Sequence, residues 1–138
     1  MSAASNFLEN ELLDHVLRGS GGAYTAPTTL YLALFTSDGG LETNNTGDQT
    51  EISTSGSAYS RQSIAFNDAS SGSAANSATV TFSAATANWG TVTHVAITDN
   101  ATAGSGNILF HGAVTTSKTI ESGDTFQVSS GNLTITLA

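Results

Sequence analysis

After Pro27, apolar residues recur at every second position through most of the chain, and this spacing is the strongest constraint on its fold. Segments such as ATVTF at residues 78–82 and NLTITL at residues 132–137 carry their large apolar side chains on one face only. That alternation is typical of half-buried antiparallel strands. Ser-Gly pairs between the segments are typical of tight connections. The predicted strands cover residues 29–36, 63–67, 78–82, 91–97, 107–114, 125–129 and 132–137.

This pattern predicts a mainly β protein whose residues 29–137 form an antiparallel β-sandwich with a jelly-roll-like arrangement. The segment TLYLALFT at residues 29–36 is apolar on both faces, so we expect a central strand that is covered on both sides. A chain of 138 residues without an internal repeat is expected to form a single domain.

One segment near the N-terminus has helical rather than strand spacing. Leu8, Leu12 and Val16 recur at i, i+4 and i+8 and form one apolar stripe. The pattern predicts an amphipathic helix over residues 6–18 that packs against the central strand.

The two ends of this helix also have recognisable signals. Asn6 followed by Glu9 resembles a capping box, in which the first side chain accepts a hydrogen bond from the backbone of the first turn. Gly19 is suited to the left-handed conformation that ends many helices. We therefore expect the helix to begin near Asn6 and to end just before Gly19.

Residues 38–58 resist assignment to a strand or a helix. The segment has four acidic residues, no basic residue and only two large apolar residues, Leu41 and Ile52. Such a composition predicts a long exposed loop, which a partner could order. Its acidic residues, Asp38, Glu42, Asp48 and Glu51, are weak candidates for a Ca²⁺ site, because they lack the EF-hand spacing.

The charge balance argues against several classes of function. Eleven acidic residues against three basic ones give a net charge of −8, which repels nucleic acid. No apolar run approaches the roughly 18 residues that span a bilayer, and the N-terminus lacks the pattern of a signal peptide. Because cysteine is absent, the chain forms no disulfide bonds. We therefore expect a soluble, unprocessed protein that binds neither nucleic acid nor a membrane.

Two of the three histidines lie in a segment that can be paired as a β-hairpin. If strands 91–97 and 107–114 place Val95 opposite Phe110, then His94 lies opposite His111. Two facing imidazoles could share a metal ion, although zinc requires three or four ligands and the neighbouring residues supply none. The alternative is a pair of neutral histidines that are stacked or hydrogen-bonded. His94 and His111 are therefore only weak metal candidates.

Motifs for catalysis are missing from the sequence. No Gly-x-Ser-x-Gly elbow is present, and most acidic residues lie where a solvated charge is expected rather than in a cleft. The Gly-rich run at residues 19–22 lacks the Lys of a phosphate-binding loop. The sequence predicts no enzyme activity and no cofactor.

The low charged fraction of 10% is a hint toward a protein that binds other proteins, because surfaces poor in lysine cost little entropy when they are buried; an enzyme or a metal-dependent sugar binder is the less favoured alternative. Aromatic residues flanked by small ones are typical anchors of an interface, and the helix or a sheet edge offers further contact area. The candidate interface residues are Phe7, Leu8, Leu12, Tyr24, Tyr59 and Trp89.

Several segments in a fixed order resemble a family of small proteins encoded by tailed bacteriophages. They are NFLENELLDHVLRG at residues 6–19, YTAPTTLYLALFTSD at 24–38, AYSRQSIAF at 58–66, NWGTVTHVAITD at 88–99, ILFHGAVTTSKTIESGDTF at 108–126 and LTITLA at 133–138. Members of this family are often labelled tail-fibre-like. The chain is also similar to the capsid cement, or decoration, protein of a short-tailed phage of Bordetella.

This resemblance implies a structural protein of the virion rather than an enzyme. It implies a jelly-roll-like subunit that is assembled in the host cytoplasm and lies on the outer capsid surface. There it would pair as a homodimer, bind the major capsid protein and cement neighbouring capsomers. The alternative is a tail-fibre or receptor-binding accessory module of the virion.

Overall fold

The computed structural model describes residues 3–43 and 50–137, which form a mainly β structure with one α-helix near the N-terminus. The helix α1 spans Asn6–Leu17, and a short 3₁₀ turn follows at Gly19–Gly21. The strands are β1 (Ala3–Ala4), β2 (Leu30–Phe35), β3 (Gln62–Ile64), β4 (Ser73–Ala75), β5 (Val80–Thr81), β6 (Gly90–Thr98), β7 (Ile108–Ile120), β8 (Gln127–Val128) and β9 (Thr134–Thr136).

All pairings between these strands are antiparallel, as the alternating sequence pattern predicts. Five strands form one sheet in the order β1-β7-β6-β2-β3, while β4 pairs with β9 and β5 pairs with β8. The pairs β6–β7, β5–β8 and β4–β9 are nested within one another, so the chain from β4 to β9 is one long hairpin-like ribbon. Its β6–β7 part belongs to the five-stranded sheet, while its β5–β8 and β4–β9 parts form the opposite layer, which gives the sandwich its jelly-roll-like character.

The main core lies between the five-stranded sheet and the two short ribbons. Leu32, Leu34 and Ile97 from the sheet belong to the same buried cluster as Phe82 and Phe126 from the opposite layer. Side chains alternate along a strand, so the neighbours of Leu32 and Leu34 point to the other face of the sheet. The predicted antiparallel β-sandwich is confirmed.

The second face of the sheet carries a smaller buried cluster. Ala33 and Phe35 of β2 pack there with Ala96, Ile108 and Leu41. The prediction that β2 is covered on both faces is therefore confirmed. The cover on this face is Leu41, which comes from the segment after β2 and not from the helix. The helix contacts β7 and β1 instead of the central strand.

The N-cap of the helix lies one residue earlier than the capping-box pattern predicts. The N-cap is Ser5, whose hydroxyl accepts a hydrogen bond from the Leu8 backbone at 3.3 Å and donates one to the Ile108 carbonyl. Asn6 is the first helical residue and does not serve as the cap. Gly19 ends the helix with φ of +61°, as predicted. This helix is too short to cross a bilayer, and the described residues contain no other α-helix.

Most described residues of segment 38–58 are exposed, but the segment also has buried residues that the prediction of an exposed loop did not include. Leu41 is fully buried, and Ile52 and Ser57 are almost so. The Ile52 amide donates a hydrogen bond to the Leu34 carbonyl, which ties the segment to β2. The two apolar residues of the segment are thus sufficient to anchor both of its ends; residues 44–49, including Asp48, lie outside the described part.

Strand lengths differ most from the prediction at β7 and at the shortest strands. β7 has 13 residues and continues past Val114 to Ile120. The added part is the polar Thr-Thr-Ser-Lys-Thr run, which lacks the apolar alternation by which strands were predicted. β1 and β4 contain two and three residues, which are too few to show any period. Their extended conformation depends on the strands with which they pair.

Candidate interaction surface

The β6–β7 pair has a register two residues away from the predicted one. Ile97 lies opposite Phe110, and Val95 lies opposite Gly112. Irregularities interrupt the ladder near Val92 and again near Ile97, and the connecting loop is fixed by hydrogen bonds from Asn107 to Asp99. A shift of two residues leaves Val95, Ile97 and Phe110 on their predicted face, because side chains alternate with a period of two. The irregularity beyond Ile97 moves Ile108 to the smaller cluster on the other face of the sheet.

The shift separates the two histidines that were predicted to face each other. His94 lies opposite Ala113 and His111 opposite Ala96, so they share a face but not a pair position. The His111 Nε2 atom lies 2.8 Å from a Glu42 carboxylate oxygen, and the His94 Nδ1 atom lies 2.9 Å from the Thr93 hydroxyl. The described residues hold no group of three His, Cys, Asp or Glu side chains placed to bind a metal ion. Within the described residues, the structure thus brings the Glu42 carboxylate to His111 but no third ligand to either histidine.

Tyr59 and Trp89 are core residues rather than surface anchors, with 3% and 5% of their area exposed. Their rings meet edge to face at 5.5 Å between centroids, and both contact Phe82. The Trp89 indole donates a hydrogen bond of 2.8 Å to the Ser57 carbonyl. These two residues cannot contact a partner in this fold, so the interface prediction is wrong for them. Small neighbours in the sequence are equally compatible with tight packing inside the core.

A buried ion pair beside Tyr59 was not foreseen from the sequence. Arg61 binds the Glu51 carboxylate with two hydrogen bonds of 2.8 and 2.9 Å, and the two side chains are 1% and 5% exposed. Arg61 also donates to the Thr98 hydroxyl and to the carbonyls of Asn100 and Ser105. The pair therefore connects the segment before β3 to the β6–β7 loop. Glu51 is not available for the predicted Ca²⁺ site.

The Tyr59 phenol completes this network. It accepts a hydrogen bond from the Leu34 amide at 3.0 Å and donates one to Glu51 at 2.9 Å. Burial raises the pKa of Tyr59 far above the ordinary value of 10.0, and the Glu51 carboxylate raises it further. The phenol is consequently a neutral structural hydrogen-bonding group.

The remaining predicted interface residues lie on or near the helix. Leu8 is buried with 4% of its area exposed, while Phe7 and Leu12 are half-buried. Tyr24 is also half-buried, and its backbone amide donates a hydrogen bond of 3.1 Å to His15. Burial, together with the carboxylates of Asp99 and Glu11, raises the pKa of the Tyr24 phenol. Whether Phe7, Leu12 and Tyr24 contact a partner stays a prediction.

The helix exposes three other large apolar residues. Leu13, Val16 and Leu17 are 57%, 73% and 74% exposed. Residues three and four positions apart share a helix face, so Glu9 lies on this face one turn before Leu13. We call Glu9, Leu13, Val16 and Leu17 the helix patch. The predicted stripe of Leu8, Leu12 and Val16 is therefore buried only at its first residue.

A second apolar surface lies between β7 and the strands β8 and β9. It is a groove of about 500 Å³. Its partly buried apolar side chains are Val95, Phe110, Val128, Leu133 and Ile135. We call this surface the β7 groove.

Charge distinguishes the β7 groove from the rest of the chain. Its lining contains no Asp and no Glu, although the chain has eleven acidic residues. It does contain Lys118. Of the three basic residues, Arg18 pairs with Asp14 and Arg61 pairs with Glu51, whereas Lys118 has no ion pair within the described residues. The groove thus combines apolar walls with a single available positive charge.

Within residues 3–43 and 50–137, the helix patch and the β7 groove are both suited to binding another molecule without covalent chemistry. The groove was not predictable from the sequence, because its residues come from four strands whose relative positions depend on the register. The exposed lysine in a chain with only three basic residues was the one signal that pointed to it.

Comparison with known protein families identifies the family to which the chain belongs. Residues 3–136 match the family described as Podophage GP4 fiber I protein gp80. No curated protein matches the chain in sequence. Because the match spans almost the whole chain, the chain belongs to this family and is a structural protein of a short-tailed phage virion.

Proposed function

We propose that this member of the gp80 family is a globular component of the virion's fibres, where it acts by binding other proteins. The observation that carries the proposal is the family match over residues 3–136, since the family is described as a fibre protein of a podophage. The match includes both the helix patch and the β7 groove.

Two physical features support a binding role. Monomeric proteins rarely expose large apolar patches without a partner, and Val16 and Leu17 are each more than 70% exposed. The chain also carries few charged residues, only 10% of its length, so burying its surface desolvates few charges. We therefore expect contacts dominated by apolar and neutral polar groups. That the protein has no catalytic activity and no cofactor stays a prediction.

The capsid cement role is the second candidate, with the major capsid protein as its partner. It is favoured by the shape of the described chain, in which short strands form a compact sandwich and no fibrous repeat or coiled-coil heptad occurs within residues 3–43 and 50–137. A cement protein would lie on the outer capsid surface and repeat with the capsid lattice.

The location and copy number of the protein in purified virions test the two roles. Gold-labelled antibody and quantitative mass spectrometry would both be applied to the same particles, with the major capsid protein as the internal standard. Label at the tail and a copy number of a dozen or two support the fibre role. Label over the capsid and hundreds of copies support cement and refute the fibre role. Complete absence from the virion refutes both.

A further inference from the structure

The helix patch is an exposed apolar surface with a negative charge at one end. Leu13, Val16 and Leu17 expose more than half of their area, and Glu9 lies on the same face one turn earlier. None of these four residues has a hydrogen-bond or ion-pair partner recorded for its side chain within the described residues, whereas Asp14 on the adjoining face is held by Arg18 at 3.2 Å. The patch is thus free to meet another molecule.

The β7 groove has the complementary properties. Its apolar side chains form a concave surface, and its volume of about 500 Å³ lies in the range of pockets that take drug-sized ligands, which leaves room for several aliphatic side chains. Lys118 is its one lysine or arginine, and no acidic residue lines it. None of the helix-patch residues lines the groove, so the helix of a chain does not fill that chain's own groove.

From this complementarity we infer that the helix patch of one copy docks into the β7 groove of a second copy. The apolar residues of the helix fill the groove, and Glu9 pairs with Lys118 of the neighbouring copy. Charge favours this arrangement over the symmetric ones. Pairing helix patch with helix patch leaves both Glu9 carboxylates without a basic partner, and pairing groove with groove leaves both Lys118 amines without an acidic one.

A contact between two different surfaces has a direct consequence for assembly. Each copy in the interior of an assembly uses both its patch and its groove, so copies associate head to tail. They then form a ring if the rotation between copies closes and an open filament if it does not. A two-fold homodimer, by contrast, would use one self-complementary patch twice. The inference is independent of whether the protein lies on the fibre or on the capsid.

Sedimentation velocity on the purified full chain tests the inference through two variants. The double variant Val16→Gln/Leu17→Gln disables the patch and keeps good helix formers, and Lys118→Glu disables the groove. The wild-type protein is expected to grow beyond the dimer as its concentration increases. Each variant alone is expected to stay monomeric, with association weakened at least tenfold.

Mixing the two variants gives the decisive result. The patch variant retains an intact groove and the groove variant retains an intact patch, so the mixture is expected to form a dimer and nothing larger. A symmetric interface at either surface would not be restored by mixing. A mixture that stays monomeric therefore refutes the inference, as does a wild-type protein that is monomeric at every concentration.

A charge exchange tests the specific pair. Glu9→Lys alone is expected to weaken association, and Glu9→Lys combined with Lys118→Glu in one chain is expected to restore it. Asp68→Lys makes the same change in net charge at an exposed residue outside both surfaces, and it is expected to leave association unchanged. Failure of the exchanged pair to recover association refutes the Glu9–Lys118 contact. Circular dichroism of each variant checks that it remains folded.

These results are separable from the proposed function. Labelling of virions decides where the protein lies, whereas sedimentation of the isolated chain decides how its copies associate. A protein found in the virion but monomeric in isolation would refute the head-to-tail contact and leave the virion role intact.

Discussion

Replacing Arg61 by methionine should cause a large loss of stability. Arg61 makes two hydrogen bonds to the Glu51 carboxylate and three to groups of β6 and the β6–β7 loop. In Arg61→Met, the Glu51 carboxylate stays buried with only the Tyr59 phenol and the Gly104 amide as donors. Removing one partner of a buried pair costs about 3–5 kcal/mol, because it leaves an uncompensated charge.

Urea unfolding followed by the fluorescence of Trp89 measures this loss directly, because Trp89 is the only tryptophan and is buried in the core. With a denaturant slope of about 2 kcal/mol per molar urea, the midpoint should decrease by about 2 M. The slope itself should change little, since the same surface is exposed on unfolding. The measurement belongs at low protein concentration, where association between copies does not contribute.

A double-mutant cycle separates the ion pair from general loss of packing. Glu51→Gln removes the second charge and keeps one carboxamide oxygen, which can replace the oxygen that accepts from Tyr59 but not also the one that accepts from Gly104. The double variant Glu51→Gln/Arg61→Met should therefore be more stable than the sum of the single changes indicates, by about 2 kcal/mol. Arg18→Met is the matched control, since its ion pair with Asp14 is 60% and 47% exposed and should cost less than about 0.5 kcal/mol. Strictly additive changes, or a loss below about 1 kcal/mol in Arg61→Met, would contradict the assignment of a buried, coupled pair.

Three further predictions concern the cap, a loop glycine and alkaline pH. Ser5→Ala should cost about 1–2 kcal/mol in urea unfolding and Asn6→Ala much less, because Ser5 is the observed N-cap; equal losses would contradict the cap assignment. Gly106→Ala should destabilise the fold more than Gly104→Ala, since both have φ of +75° but only the former places a Cβ 2.4 Å from Asn100; melting temperatures compare them. The pKa of Tyr59 is raised by folding, so the unfolded chain loses its proton first and the unfolding free energy should decrease as the pH increases above 10.0, by up to about 1.4 kcal/mol per pH unit. The slope should become shallower in Tyr59→Phe, and an unchanged slope would show that Tyr59 does not titrate on unfolding.

The fold was predictable where the sequence has a period. The alternation around Val95 and Ile97 assigns each of these side chains to the main core, and the structure places them there. Helical spacing likewise located α1 to within one residue at its C-terminal end. These signals are local, because they need only the direction of successive side chains along one element.

The register of β6 and β7 was not predictable in the same way. Either register places Val95, Ile97 and Phe110 on the core face, so apolar alternation cannot distinguish registers that differ by two residues. The choice depends on the loop in which Asp99 binds Asn107 and on the irregularities in the ladder. The predicted contact between His94 and His111 depended on the register, which the apolar pattern does not determine.

The burial of a charged residue in an irregular segment is likewise not predictable from the sequence. Glu51 lies in an acidic stretch that has the composition of an exposed loop, and its partner Arg61 is ten residues away. A carboxylate is buried only when the fold supplies an opposite charge and further donors, and here the donors come from two separate segments, residues 59–61 and the β6–β7 loop. Composition averages over such pairs and therefore does not identify Glu51 as a buried residue.

The ion pairs of the three basic residues determine which surface of the described chain can attract an acidic partner. Arg61 is consumed inside the fold and Arg18 is held by its own helix, so Lys118 is left as the one basic side chain without an ion pair in the described part of the chain. In a protein of net charge −8, that position is where an acidic surface is attracted rather than repelled. The helix patch is acidic at Glu9 and unpaired, and a second copy always supplies it at the same concentration as the groove. A distinct virion protein must therefore bind the groove more tightly than this ever-present competitor, which makes self-association the first property to measure before any partner is sought.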